Sequence, residues 1–361
     1  MLTETLGATQ EGAPPALEKV LQLIANQWLA RSLYVVAKLE VADLIAEGCR
    51  SVVQLAERTQ MHPNSLYRVM RALASTGYFT EVGPREFELT SLGASLKKDA
   101  PGAVRSTILT LTGQLQWESW GETLHSVKTG ETGIKKVFGK NLFEYLGENP
   151  EEAAWFNEMM EGSHTAEAPA VAQAYAFSSA AGKTIADLGG GSGILLSTLL
   201  KTHPQVKGVL FDLSHVAEQA TARFKGMALS DRSQFVEGNF FEFVPEADVY
   251  ILSHVLHDWT DEQCITILEN CKKANPAAKV LVIGMVIPPG DTFHPGKLID
   301  LQMLTLLGGQ ERTKEEYAAL FTRAGYTLAQ VVPIQSRANV LEVIPNASGT
   351  GIDSYPVAVK R

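Results

Sequence analysis

The sequence predicts an α/β protein in which a mainly helical amino-terminal domain with a winged-helix pattern precedes a parallel sheet covered by helices on both faces. Dividing the 361 residues by about 150 per domain gives two domains as the expectation. Two helices and a hairpin follow one another over residues 51–90, and strands alternate with helices from residue 183 onward. A hydrophobic share of 45% and a charged share of 20% are typical of a packed protein.

The first predicted helix begins after Pro14-Pro15, where apolar residues recur at helical spacing from Leu17 to Trp28. The segment that follows, up to Gly48, is apolar on more than one face, which an isolated surface helix does not tolerate in water. We therefore expect residues 1–105 to form a winged-helix-like domain that packs against a second copy of the chain.

A winged-helix pattern allows DNA recognition, with Arg68 and Arg71 on the second helix directed at a groove. The net charge of −9 opposes a general phosphate-binding surface, so the structural interpretation is favoured and nucleic acid is not expected as a partner. Residues 106–180 contain helical segments separated by a glycine-rich, charged stretch, and are predicted to connect the domains and cover a pocket.

The composition argues against a membrane-spanning, secreted, disulfide-linked or zinc-binding protein. No apolar run reaches the roughly 18 residues that span a bilayer, and the start lacks the features of a secretion signal, so we expect a cytoplasmic protein without a membrane partner. Cys49, Cys264 and Cys271 form an odd set without C-x-x-C spacing, which indicates neither a disulfide framework nor a zinc knuckle.

A glycine-rich turn, from Asp187 to Gly193, separates the first strand of the predicted sheet from its helix. Ligands bind at this edge of an open parallel sheet, and glycine allows close approach of the backbone. The spacing D-x-G-x-G-x-G differs from a dinucleotide fingerprint and lacks the Lys-Ser/Thr pair of a phosphate loop.

Asp212 ends the next strand, where a carboxylate can accept both hydrogen bonds of a ribose diol. After the third strand, Asn239 could hydrogen-bond the edge of a purine while Phe240 covers its face. Together with the glycine turn and Asp212, these residues predict a ribose-bearing cofactor.

A histidine that the capping pattern does not explain follows the fourth strand, and a structural role is the alternative to a catalytic one. Thr260 and Gln263 form a predicted capping box, whereas His257 remains unexplained at the edge where substrates lie. Glu311 precedes another capped helix without a capping role, and could fix the tautomer of His257 if the two loops meet. A metal site built from His254, His257 and Asp258 is the less favoured alternative, because no further ligand cluster supports it.

These motifs together resemble the small-molecule O-methyltransferases of the caffeate and hydroxyindole type, including their bacterial natural-product relatives. DLGGGSG, FDLSHV, GNFF, LHDW and GGQERT occur in the order and approximate spacing of that family, over nearly the whole chain. The resemblance implies that residues 181–345 form a Rossmann-like class I methyltransferase domain that binds S-adenosylmethionine, that residues 1–105 mediate homodimerisation, and that residues 346–361 form a tail without an assigned role.

The resemblance also assigns site residues. His257 is the expected general base and Glu311 its partner. The cofactor-binding residues are expected to be Asp187, Gly189, Gly191, Asp212, Leu213, Asn239, Phe240 and Ser253, and the acceptor is expected to contact Asp258, Met303, Phe156, Asn157 and Met160. For Met160 and Met303, core packing is the equally weighted alternative.

Three residues depart from the family pattern. Gly284 stands where the fifth strand usually ends in an acid that contacts the histidine, and Asn239 replaces the usual adenine-contacting Asp. Ser253-His254 replaces a Lys-Trp pair common in plant members, so plant-like acceptor specificity is not carried over.

The resemblance implies methyl transfer to a hydroxyl of an aromatic or polyketide-like molecule, without a metal. The departure at Gly284 leaves open a cofactor-binding relative with cyclase or hydroxylase activity, and N-methylation remains open because an amine does not require the base. A ligand-sensing winged-helix regulator is the third class, and it is disfavoured by the acidic charge.

Overall fold

The computed structural model describes residues 15–175 and 182–346. The predicted tail, beyond Asn346, and the last part of the predicted connector lie outside the described residues. The chain divides between Ala166 and Glu167 into two compact units. The domain boundary predicted at residue 105 stays a prediction. The helices between residues 106 and 166, predicted to connect the domains, belong to the first compact unit.

The first unit is helical apart from one hairpin. Its elements are α1 (Pro15–Lys38), α2 (Val41–Ala46), α3 (Val52–Thr59), α4 (Pro63–Ala74), β1 (Phe79–Gly83), β2 (Glu86–Leu89), α5 (Ser91–Ala94), α6 (Val104–Thr112), α7 (Gln114–Gly121), α8 (Thr123–Thr129), α9 (Gly133–Phe138), α10 (Leu142–Glu148) and the first part of α11 (Pro150–Ala174). Helices α3 and α4 followed by the antiparallel pair β1–β2 form the predicted winged-helix pattern.

Capping explains where the winged-helix elements begin. Ser51 and Gln54 form a capping box at the start of α3, and His62 caps α4 ahead of Pro63 at its first position. Apolar side chains from these helices and the hairpin, including Leu55, Met70 and Phe87, form one buried core. Helices α6, α7 and α8 follow one another with breaks at Gly113 and Glu122. At Gly113, a β-carbon would lie 2.5 Å from the Leu109 carbonyl oxygen.

The second unit is built on a seven-stranded sheet. Its elements after α11 are β3 (Thr184–Leu188), α12 (Ile194–Thr202), β4 (Lys207–Asp212), a 3-10 turn (Ser214–Val216), α13 (Ala217–Gly226), β5 (Ser233–Glu237), β6 (Val249–Ser253), a 3-10 turn (Leu256–Asp258), α14 (Asp261–Ala274), β7 (Lys279–Gly284), α15 (Gly296–Gln302), a π-helical turn (Met303–Leu307), α16 (Lys314–Arg323), β8 (Tyr326–Pro333) and β9 (Asn339–Pro345).

The strand order is β5-β4-β3-β6-β7-β9-β8, with β3 to β7 parallel and β9 antiparallel to both β7 and β8. Strand order reverses between β3 and β6, and this switch point is where open α/β sheets bind ligands. Alternate residues of each strand point to opposite faces, so Ala186 and Leu188 join one core, with α14 and α16, while Ile185 joins the other, with α12 and α13.

Within the described residues, no helix is long and apolar enough to cross a membrane.

Candidate active site

The glycine-rich turn connects β3 to α12 at the carboxyl edge of the sheet. Gly189, Gly191 and Gly193 adopt left-handed φ values of 69°, 56° and 76°, which disfavour residues with a β-carbon. A β-carbon on Gly190 would lie 2.4 Å from the Leu210 side chain and 2.6 Å from a carboxylate oxygen of Asp187. The turn therefore presents bare backbone toward the sheet edge, as a cofactor cradle requires.

Asp212, at the end of β4, accepts hydrogen bonds from the backbone N–H of Gly191 (2.8 Å) and of Leu213 (2.7 Å). These bonds fix its carboxylate beside the glycine turn, where the sequence predicted ribose binding. Each carboxylate oxygen keeps a second lone pair for a ligand. Leu213 is half exposed, so an apolar surface lies next to this carboxylate.

Asp187 is fully buried at the end of β3. Neither of its carboxylate oxygens has a partner with hydrogen-bond geometry among the described residues, although the N–H of Leu196 lies near enough to favour the charged form. Burial, with the charge of Asp212 adding to it, raises the pKa of Asp187 to about 7. A buried carboxylate without a partner fits a site that receives a cationic ligand.

Asn239 is held in a local turn after β5. Its Oδ1 accepts from the N–H of Phe241 at 3.0 Å, and its Nδ2 donates to Glu242 at 3.2 Å. One lone pair and one N–H of the amide remain for a purine edge. Phe240 packs edge-to-face on Phe241, with ring centroids 4.9 Å apart, and its ring would lie 3.4 Å from a β-carbon on Gly189. Phe240 therefore lies beside the glycine turn.

His257 lies in the 3-10 turn after β6 and is paired with Glu311. Its Nδ1 lies 2.8 Å from Oε1 of Glu311, and its Nε2 lies 3.4 Å from Oδ1 of Asp258. Glu311 is only 3% exposed, and its backbone N–H donates to Asp300 at 2.8 Å. The two loops that had to meet for this pair to form are therefore in contact.

Burial on its own lowers the pKa of His257, but the hydrogen bond to Glu311 and the charge of Asp258 outweigh it and raise that pKa. Burial raises the pKa of Asp258 to about 6, and the two neighbouring imidazoles, His257 and His254, limit this rise.

Arg312, which no sequence motif indicated as a site residue, fixes the loop that carries His257. Its buried guanidinium donates to the carbonyl oxygens of Leu256 (3.0 Å) and Trp259 (3.1 Å), on either side of His257, and pairs with Asp261 at 2.9 Å. The signal in the sequence was an arginine directly before the helix cap at Thr313, a position where a long cation has no capping role.

A second contact that the sequence did not reveal involves His254, which has a left-handed φ of 54°. Its Nε2 lies 2.6 Å from Glu167 in α11, and its ring centroid lies 5.7 Å from that of His257. Although His254, His257 and Asp258 are neighbours, no group of three or more possible metal ligands forms within residues 15–175 and 182–346.

The remaining predicted residues fall into two groups. Ser253 is the last residue of β6. Met303 is buried and begins the π-helical turn, and this turn contacts the 3-10 turn that carries His257. Phe156, Asn157 and Met160 lie on the part of α11 that belongs to the first unit, where Asn157 is exposed and the other two are half-buried.

At Gly284, where the family pattern has an acid, a β-carbon would have the Tyr317 hydroxyl oxygen at 3.5 Å as its neighbour. His257 nevertheless has a carboxyl group near each ring nitrogen, from Asp258 and Glu311, without an acid on β7.

Comparison with known proteins identifies the class. A family model described as an O-methyltransferase domain matches residues 120–327, and one described as an O-methyltransferase dimerisation domain matches residues 21–99. The phenazine O-methyltransferase PhzM of Lysobacter antibioticus is 43% identical over 336 residues, which are 92% of this chain and 98% of that protein.

Two further relatives differ in their chemistry. The structure of NcsB1, an O-methyltransferase from neocarzinostatin biosynthesis in complex with S-adenosylmethionine and 2-hydroxy-5-methyl naphthoic acid, matches with a TM-score of 0.78 at 34% identity, over 88% of this chain and 95% of that one. Aclacinomycin 10-hydroxylase RdmB of Streptomyces purpurascens is 32% identical over 91% of this chain and 89% of its own length.

The fold and the site thus define a Rossmann-like methyltransferase with an amino-terminal dimerisation domain. The chain belongs to the O-methyltransferase family, and it is an S-adenosylmethionine-dependent methyltransferase. The family resemblance, the fold class and the cofactor predicted from the sequence are confirmed.

Proposed function

We propose that this enzyme transfers the methyl group of S-adenosylmethionine to a hydroxyl of an aromatic or polyketide-like small molecule, with His257 as the general base. The observation that carries the proposal is the 2.8 Å contact between Nδ1 of His257 and Glu311 at the carboxyl edge of the sheet. With Nδ1 donating to Glu311, Nε2 of the neutral ring is left with its lone pair, as a proton acceptor needs.

The cofactor would be held by residues around the switch point. The backbone at Gly189 and Gly191 admits its close approach, Asp212 accepts from the ribose hydroxyls, and Asp187 provides negative charge for its cationic portion. Leu213, Phe240 and Asn239 would contact the adenine, and Ser253 would contribute from the end of β6. When bound, the cofactor supplies a methyl group already activated by a sulfonium.

The protein then has two tasks: to align the acceptor oxygen and to remove its proton. A phenol with a pKa near 10 is mostly protonated at neutral pH, so a positioned base increases the rate by about 10² to 10⁴. His257 takes the proton at Nε2, and Glu311 stabilises the resulting imidazolium. Asp258, Met303, Phe156, Asn157 and Met160 are proposed to contact the acceptor.

The enzyme is proposed to act as a homodimer through its amino-terminal unit. The match of residues 21–99 to a dimerisation domain supports this proposal. So does α1, where Val20, Leu21, Leu23 and Trp28 are between 50% and 71% exposed. Several large apolar side chains exposed on one helix are a feature of protein interfaces.

The similarity to RdmB keeps hydroxylation as a second candidate, and the two activities leave different products. Methyl transfer converts S-adenosylmethionine to S-adenosylhomocysteine in equal amounts with methylated acceptor, whereas hydroxylation leaves the donor intact. Incubation with methyl-labelled donor and a panel of phenols, naphthols and hydroxyphenazines, with matched amines included, separates O-methylation from N-methylation and from hydroxylation.

The base is tested by His257→Ala. We expect kcat to fall by about 10² to 10⁴, with little change in the Kd of S-adenosylhomocysteine measured by calorimetry. His62→Asn is the matched control, because Asn also caps helices well and His62 only caps α4. Nearly full turnover in the His257 variant would refute the assignment of the base.

A further inference from the structure

His254 has a strained backbone at the edge where chemistry takes place. Its φ of 54° lies in the left-handed region, which disfavours a residue with a β-carbon. Its backbone N–H donates to the carbonyl oxygen of Ile283 at 2.8 Å. Such a conformation persists only where surrounding contacts fix it, and it is concentrated at functional sites.

The side chain of His254 is held by a carboxylate that is itself held on its other side. Nε2 of His254 lies 2.6 Å from Oε1 of Glu167, and both side chains are only 15% exposed. The second oxygen of Glu167 accepts from the hydroxyl of Ser336 at 2.8 Å, and that hydroxyl oxygen accepts from the N–H of Ala338 at 2.9 Å. Glu167 thus connects α11, the loop after β6 and the β8–β9 connection.

The proposed base lies in the segment of residues 254–259, which is held by Glu167 at one end and by Arg312 further along. Glu167 holds the segment at His254, and Arg312 holds it through the carbonyl oxygens of Leu256 and Trp259. His257 lies between the two points, with its ring centroid 5.7 Å from that of His254. Displacement at either point would therefore move the imidazole relative to the acceptor.

We infer that Glu167 and His254 form a second imidazole–carboxylate pair that positions His257 for proton removal. This inference rests on the proposed role of His257 as the base. Glu167 is a positioning residue that acts through His254. Because a misplacement of about 1 Å can lower a rate by about 10², the pair is expected to influence kcat much more than cofactor binding.

The test begins with Glu167→Gln, which preserves size and removes the charge. We expect kcat to fall by at least tenfold, while the KM for the acceptor and the Kd of S-adenosylhomocysteine change less than threefold. Glu342→Gln is the matched control, since Glu342 is another half-buried carboxylate of this unit, paired with Lys279 at 2.6 Å. The control variant should lose thermal stability and retain kcat.

Coupling between the two residues provides the second readout. His254→Asn removes the imidazole, while Asn tolerates the left-handed backbone. If the residues act as a pair, the double variant with Glu167→Gln has the kcat of the more impaired single variant, whereas independent effects would multiply. Should Glu167→Gln fail to fold, Ser336→Ala at an exposed position replaces it, with an expected fall in kcat of twofold to fivefold.

Unchanged kcat in folded Glu167→Gln, or multiplying effects in the double variant, overturns the inference. Unchanged kcat in Ser336→Ala, if that variant has to be used, overturns it as well. If His257→Ala has lost turnover in the same assay, only the positioning role fails. If His257→Ala retains turnover, the proposed base fails first.

Discussion

The backbone of Gly309 lies directly against the carbonyl of His257. A β-carbon on Gly309 would be 2.1 Å from that carbonyl oxygen, and 2.5 Å from the carbonyl carbon of Asp258. This close approach allows the loop carrying Glu311 to reach the loop carrying the imidazole. Gly309 therefore sets the distance between the proposed base and its carboxylate.

Gly309→Ala is expected to separate these two loops, since the clash is with backbone atoms that cannot rotate away. We expect kcat to fall by about 10² or more, because the Glu311 contact at 2.8 Å cannot be kept. Steady-state kinetics together with calorimetry on S-adenosylhomocysteine measure the effect. Gly147→Ala is the control, since its β-carbon would meet no atom within 4 Å. Full kcat in the Gly309 variant would contradict the packing described.

Glu311→Gln is expected to change the pH dependence of turnover. The base is active when neutral, and the contact with Glu311 helps to raise the pKa of His257, so kcat/KM should rise through a pH above the ordinary imidazole value of about 6.5. Loss of the Glu311 charge lowers that pKa and moves the rising limb to lower pH. The plateau should also fall at least tenfold, since Gln does not stabilise the imidazolium. Glu269→Gln, at an exposed position on α14, is the control and should leave the pH profile unchanged. A rising limb that stays at the same pH in Glu311→Gln would argue against the pair.

Asp187→Asn is expected to flatten the pH dependence of cofactor affinity. With its pKa raised to about 7, Asp187 passes from mostly neutral to mostly charged between pH 6 and pH 8. A cationic donor binds the charged form better, so the affinity for S-adenosylmethionine should rise over this range, and less so in the variant. Calorimetry at several pH values measures both slopes. Asp248→Asn is the control, because Asp248 accepts from the Thr184 N–H, and this variant should keep the wild-type slope. Equal slopes for Asp187→Asn and the wild type would reject a role of Asp187 in binding the cationic donor.

Leu23→Asp and Trp28→Asp are expected to yield monomers. These side chains are 71% and 64% exposed on α1, and an interface that buries them would not tolerate an unpaired charge. Light scattering after size exclusion measures the mass. Phe293→Asp is the control, because Phe293 is 73% exposed but lies in the second unit. Dimers that persist in both α1 variants would place the interface elsewhere.

Much of the fold could be predicted from local patterns. The strands from β3 to β7 are short and each contains at least one β-branched residue, and their alternation with helices indicates that they are parallel. The capping boxes at Thr260 and Thr313 were predicted because their hydrogen bonds join residues three apart. The apolar spacing does not indicate the breaks between α6, α7 and α8 at Gly113 and Glu122.

The sequence by itself determined the family, the glycine turn, the acid at each of two strand ends and the candidate base, because each depends on residue type at a fixed spacing along the chain. Only the tertiary structure decided which partners these groups have. Glu311 lies 54 residues beyond His257, Arg312 reaches both flanks of that histidine from another loop, and Glu167 meets His254 across 87 residues. Contacts between distant segments follow from how the sheet brings its loops to one edge, and residue spacing along the chain does not encode that arrangement.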